Sequence, residues 1–164
     1  MVALVGAFGL MFAVEKNRDN SLGVVLLLAF TFFMGVMLSR MLGFVLSRGN
    51  GEQLIMIAFG GTALVFLTLS GYAMASRKDF SFLGGFLMTG MVVVLVGALA
   101  NIFLQIPVLS LAIPAAIVML MSGLILFDTS RIVLGGETNY IRATVSLYLN
   151  IYNLFTALLQ LLGV

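Results

Sequence analysis

Phe80-Ser81-Phe82-Leu83-Gly84-Gly85-Phe86-Leu87-Met88-Thr89-Gly90-Met91-Val92-Val93-Val94-Leu95-Val96-Gly97-Ala98-Leu99-Ala100-Asn101-Ile102-Phe103-Leu104 carries no charge, between Arg77-Lys78-Asp79 and Gln105-Ile106-Pro107. A helix needs about 20 mainly apolar residues to cross the ~30 Å hydrocarbon core of a bilayer. The run shows no polar/apolar alternation of the kind a membrane barrel strand requires, and open sheet edges cannot persist in hydrocarbon. It therefore reads as a transmembrane helix.

The same reading outward along the chain predicts six apolar segments. They are Met1–Val14, about Leu22–Leu46, about Gln53–Ala75, about Phe80–Leu104, about Val108–Phe127 and about Ile141–Leu162. Short polar breaks such as Glu15-Lys16-Asn17-Arg18-Asp19-Asn20 and Ser76-Arg77-Lys78-Asp79 separate them. Connections this short make neighbours antiparallel, so the expectation is an all-α polytopic transmembrane helical bundle, one domain over residues 1–164. Met1–Val14 would span about 21 Å, short of the core. It begins apolar and ends in Glu15-Lys16-Asn17-Arg18, the reverse of a signal peptide. It is expected to be a transmembrane helix whose start is missing from the chain.

Composition agrees. Of 164 residues, 62% are hydrophobic and 9% charged, with a mean hydropathy of +1.23, where a soluble domain carries roughly a quarter charged residues. A soluble globular fold and a disordered chain are both excluded. With no Cys and no His, thiolate chemistry, disulfides and the commonest general base are absent. No GxxxxGK[ST] phosphate loop occurs. The net charge of +2 is spread too thinly for a nucleic-acid stripe. No catalytic residues, cofactor or metal are expected; the chain reads as a non-enzyme whose first partner is the lipid bilayer.

Positive residues flank the segments unequally. Lys16, Arg18, Arg77, Lys78, Arg131 and Arg142 fall at one end of the bundle, Arg40 and Arg48 at the other. The positive-inside bias puts the 15–20, 76–79 and 129–140 connections in the cytoplasm and the C-terminus on the outer side. Within helices, Ala58/Thr62, Gly71/Ala75, Gly85/Thr89 and Gly97/Asn101 have the small-xxx-small spacing that lets helix backbones approach. Pro114 removes one helical hydrogen bond and predicts a mild kink.

The last segment differs from the rest. At 100° per residue, Arg142, Ser146, Asn150, Asn153, Ala157 and Gln160 fall within an arc of about 80°. A polar stripe facing lipid is costly, so it should face the bundle, placing the last helix at the centre. Interhelical hydrogen-bond glue and a hydrated path both account for it. Asp128, in Leu124-Ile125-Leu126-Phe127-Asp128-Thr129-Ser130-Arg131, is the acidic residue abutting an apolar helix body. An ionisable group there is a pH-sensing or gating candidate, while Arg131 at i+3 offers a plain ion pair. An intramembrane aspartyl protease needs two carboxylates sharing a site, and one is present.

Arg77-Lys78-Asp79-Phe80-Ser81-Phe82-Leu83-Gly84-Gly85, Ala100-Asn101-Ile102-Phe103-Leu104-Gln105-Ile106-Pro107, Ile125-Leu126-Phe127-Asp128-Thr129-Ser130 and Gly135-Gly136-Glu137-Thr138-Asn139-Tyr140-Ile141-Arg142, continuing through Leu147-Tyr148-Leu149-Asn150-Ile151-Tyr152-Asn153-Leu154-Phe155, resemble the Bax inhibitor-1 family, bacterial YccA branch. The resemblance covers the whole chain. It implies a seven-helix fold with a central last helix, of which this chain carries helices two to seven. It implies location in the bacterial inner membrane with the C-terminus outside, and association with the membrane AAA protease FtsH and its HflK–HflC partners, whose activity such members restrain. Other family members act as pH-sensitive calcium leak channels through two aspartates in the last two helices. Asp128 holds the first position; the second is Asn150, and an amide cannot titrate. The resemblance therefore favours an FtsH modulator over a cation leak channel with Asp128 and Asn150 as pH sensor and gate.

Overall fold

The computed structural model describes residues 2–162 apart from Arg48, Ser81 and Glu137. Expectations that rest on Met1, Arg48 and Val164 lie outside the described residues. The described chain is helical throughout: α1 (Val2–Lys16), α2 (Ser21–Leu46), α3 (Gly51–Ser76), α4 (Leu83–Leu104), α5 (Leu109–Val133) and α6 (Tyr140–Leu161). Four of these, α2 to α5, are long and apolar enough to cross a membrane. At 15 residues α1 is shorter; α6 has 22 residues and differs from the four by its polar side chains.

Local chemistry explains the boundaries. Asn20 caps α2, its side chain accepting from the Gly23 amide at 3.2 Å, and Asn139 caps α6 by accepting from the Ile141 and Arg142 amides at 3.0 and 3.1 Å. Such caps satisfy amides that have no partner within the helix. α3 and α4 end on non-glycine residues in the left-handed region, Arg77 at φ 53° and Gln105 at φ 50°. At the second of these, the Asn101 side chain accepts from the Ile106 amide at 2.9 Å just before Pro107, which cannot extend the helix. Inside α5, Pro114 removes the amide that would have bonded Ser110.

The fifth segment runs further than hydropathy indicates, to Val133 rather than about Phe127. Asp128, Thr129 and Ser130 are all buried, so the polarity that marks a loop to a hydropathy reading here marks helix packed against other protein.

Three apolar clusters hold the helices, and α6 contributes to each. Ile141 packs with Val14, Leu27, Phe30 and Met34. Leu154 joins Leu87, Leu120, Met121 and Ile125. Phe155 and Leu159 join Ala58. α4 has one buried residue, Leu87, and packs against α5. Its other faces present Phe86, Val93, Val96, Leu99 and Phe103, all exposed, as suits a helix solvated by lipid.

Of the small-residue pairs, Ala58 and Thr62 are buried, the Thr62 hydroxyl donating to the Ala58 carbonyl at 2.7 Å. The others point away from neighbours: a Cβ on Gly71, Gly85 or Gly97 would meet nothing within 4 Å. The close approach comes instead from Gly90 on α4 and Gly123 on α5. Added Cβ atoms there would lie 2.6 Å from Leu120 and 2.7 Å from Leu87. Each glycine receives a leucine from the facing helix, a reciprocal knob-and-notch. Lipid solvates apolar side chains as well as protein does, so close packing of this kind drives association.

Candidate functional site

The last turns of α5 place three consecutive polar side chains about 100° apart, and each meets a different element. Asp128 faces α6: its Oδ2 accepts from Ser146 Oγ at 2.5 Å and from Asn150 Nδ2 at 2.7 Å. Thr129 faces α3, its hydroxyl 3.2 Å from that of Ser70. Ser130 faces the α3–α4 connection, donating to the Lys78 carbonyl at 2.9 Å and accepting from the Phe80 amide at 3.2 Å. All three are at most 8% exposed. Ser146 and Asn150 are i and i+4 on α6, so one helical face delivers both donors to one carboxyl oxygen.

Asp128 makes no ion pair with Arg131 among the described residues. Its hydrogen bonds go to α6, and the Arg131 guanidinium lies over the Phe127 ring, 5.5 Å from its centroid. Asp128 and Arg131 nonetheless line one cleft of about 20 Å³ with Ile132, Arg142, Ala143 and Ser146, room for about one water molecule.

The stripe on α6 divides. Ser146, Asn150 and the buried Ala157 form its inward edge, turned toward α5 and α3. Arg142, Asn153 and Gln160 lie on the other edge and are exposed. Arg142 reaches α1, its Nε 3.3 Å from Glu15 Oε1. Asn153 donates to its own helix at the Leu149 carbonyl, at 2.9 Å. The expectation that the whole stripe faces inward is therefore corrected. The stripe is about 80° wide, and the contact with α5 covers only the Ser146–Asn150 side.

Sequence reasoning passed over Ser70, Thr129 and Ser130. The signal was available: three successive polar residues at a helix end leave no face for lipid, so protein must surround that end. Chemically the cluster is a hydrogen-bonded knot around one carboxyl group. Divalent cations take six or more oxygen ligands, several of them carboxylates; among the described residues no three acidic, His or Cys side chains converge. A larger groove of about 420 Å³ lies between α2, α3 and α6. Its walls include Leu38, Leu42, Ile55, Phe59 and Phe155, and Asp128 is not among them.

The chain is similar to proteins of known name. It is 54% identical over 99% of its length, and 74% of the relative's, to the "Modulator of FtsH protease YccA" of Escherichia coli strain K12. The "Inner membrane protein YccA" of Escherichia coli O6:H1 matches to the same extent. An uncharacterised protein of Pseudomonas aeruginosa is 48% identical over 99% of this chain and 73% of its own. The family model "Inhibitor of apoptosis-promoting Bax1" matches residues 1–164. The multi-pass helical chain with its Asp128–Ser146–Asn150 knot thus belongs to the Bax inhibitor-1 family.

Proposed function

We propose that this chain is a regulator embedded in the bacterial inner membrane that binds the membrane AAA protease FtsH, together with HflK–HflC, and modulates it without chemistry of its own. The observation that carries the reading is the 54% identity over 99% of the chain to a protein named as a modulator of that protease. The site supports it. A two-carboxylate switch needs two acids, and the groups that meet Asp128 are the Ser146 hydroxyl at 2.5 Å and the Asn150 amide at 2.7 Å, neither of which is a carboxylic acid. The apolar outer faces of α2 to α5 supply surface for lateral contact within the bilayer. The basic end, with Arg18, Arg77, Lys78, Arg131 and Arg142, is cytoplasmic in this reading, and the C-terminus lies on the outer side.

The test is co-purification. The tagged protein is expressed in cells making FtsH and HflK–HflC, extracted in mild detergent and recovered. FtsH should accompany it, and overproduction should lengthen the half-life of a membrane substrate of FtsH. Recovery without FtsH, combined with an unchanged substrate half-life, would overturn the proposal. Calcium flux through purified protein in liposomes would instead establish the leak-channel reading.

A further inference from the structure

The groove between α2, α3 and α6 lies in one half of the bundle. Its α3 wall runs from Ile55 to Phe66, about 16 Å of helix, which is half of a ~30 Å hydrocarbon core. That half is the one away from the basic end, because α3 starts at the α2–α3 connection. Toward the basic end the groove is blind. There Tyr148 of α6 reaches α2, its hydroxyl donating to the Thr31 carbonyl at 3.5 Å and its ring edge-on to buried Phe30, centroids 6.2 Å apart. Toward the other end it runs on. Leu46 lies one turn beyond Leu42 on α2 and Gly51 one turn before Ile55 on α3, and both line a second, polar hollow of about 460 Å³.

One carboxylate stands where groove and hollow meet. At 100° per residue, Ile55, Phe59, Thr62, Ala63 and Phe66 share an arc of about 100°, and Glu52 falls inside it. Glu52 lines the hollow and has no hydrogen bond or ion pair among the described residues. Below it the walls are aliphatic and aromatic, and the Thr62 hydroxyl is engaged with the Ala58 carbonyl. Water finds too few polar partners to settle there, and walls left bare forfeit dispersion contacts. A transmembrane helix would need a groove crossing both leaflets, whereas this one stops at mid-membrane. An occupant one leaflet long, apolar along its length and polar at one end, is a phospholipid.

We propose that the groove holds one acyl chain of a phosphatidylethanolamine from the leaflet away from the basic end, and that Glu52 receives its ammonium group. A carboxylate at the mouth attracts a head group that carries a cation and repels one that carries only an anion. Phosphatidylglycerol with the same chains therefore binds less well.

The chain has no tryptophan, so one introduced indole reports cleanly. Phe59→Trp places it on the groove rim, at a side chain 69% exposed. Val96→Trp places it on the exposed face of α4, as far from Leu104 as Phe59 is from Gly51 and so at matching depth. Each full-length variant is reconstituted in vesicles of equal parts phosphatidylethanolamine and phosphatidylglycerol, with brominated chains on one lipid or the other. Bromine quenches the indole fluorescence on contact, and the two quenching levels give the relative binding constant. At Phe59→Trp it should favour phosphatidylethanolamine about fivefold, the upper end for one exposed ion pair, and Glu52→Gln should bring the ratio close to one. At Val96→Trp the two lipids should quench alike, with or without Glu52→Gln. Equal quenching by both lipids at Phe59→Trp overturns the proposal, as does a preference that survives Glu52→Gln. Absence of quenching there by either lipid also overturns it, since a second copy of the chain would then fill the groove.

Discussion

Removing the two main members of the polar knot together should cost far less than the sum of the costs of removing each alone. Asp128→Leu leaves the Asn150 amide, 6% exposed, without its acceptor. Asn150→Leu leaves the Asp128 carboxyl with Ser146 as its remaining donor. A buried polar group stripped of its partner costs about 1–3 kcal/mol, so each single change should destabilise by about 2 kcal/mol. In the double variant neither orphan exists. Ser146 can turn its hydroxyl to the backbone carbonyl one helical turn back, a common fallback for serine in helices. The double variant should therefore lose about 2.5 kcal/mol rather than about 4, a coupling of about 1.5 kcal/mol. That exceeds the ~0.6 kcal/mol average for interhelical hydrogen bonds in membranes and stays within their observed maximum of about 1.7. The excess follows from two donors converging on one carboxyl oxygen. The assay is unfolding by sodium dodecyl sulfate in mixed micelles, with the folded fraction read by resistance to a pulse of protease. Additivity within about 0.3 kcal/mol would refute the knot. Strong coupling between Asp128→Leu and Arg131→Leu, in place of it, would restore the i+3 ion pair.

Three further outcomes follow from the packing. Gly90→Leu or Gly123→Leu should each destabilise by about 1–3 kcal/mol through overpacking of the α4–α5 notch, while Gly85→Leu, which faces no neighbour within 4 Å, should be near neutral in the same unfolding assay. Ser130→Ala removes both hydrogen bonds that hold Lys78 and Phe80; tryptic cleavage after Arg77 and Lys78 should accelerate about fivefold, the equivalent of about 1 kcal/mol. Gly23→Ala should lower the thermal midpoint in detergent by several degrees because the clash is with backbone, whereas Gly35→Ala, in open space on α2, should leave it unchanged or raise it slightly.

Spans and sites were not equally legible in the sequence. The apolar runs locate α2, α3, α4 and α6 to within about three residues, because hydropathy over such lengths responds to lipid as solvent and needs no knowledge of neighbours. The end of α5 was misplaced for the converse reason. Asp128-Thr129-Ser130 is polar, and only the three-dimensional arrangement of α6, Ser70 and the 78–80 backbone turns that polarity into burial. The α6 stripe was found by its period, but a period states which residues share a face and not how much of it a neighbour covers. Asn150 lies inside the contact; Asn153 and Gln160 lie outside it. Small-residue spacing failed similarly. Gly90 and Gly123 sit on different helices, so no spacing within either one pairs them, whereas Gly71/Ala75 has the right spacing and no partner helix.

The arrangement orders the ways in which this molecule can change shape. Asp128, Thr129 and Ser130 tie α5 to α6, to α3 and to the α3–α4 connection, and Arg142, one turn before Ser146, ties α6 to α1. These ties gather in the last turns of α5 and the first turns of α6, around the Asp128 carboxyl group. Breaking both hydrogen bonds to Asp128 Oδ2 costs a few kcal/mol, about 1–3 for each group left buried and unpaired. An exposed pair such as Glu15–Arg142 costs less than about 1 kcal/mol. Rearrangement must begin where it is cheapest, so the Glu15–Arg142 pair parts before the Asp128 knot does. A ligand shifts the population of such shapes only by its differential affinity for them. A ligand gripping the end of the bundle that carries Glu15 and Arg142 would need to supply only the smaller energy to part them. The larger one protects the helix packing beneath from being undone by the same grip.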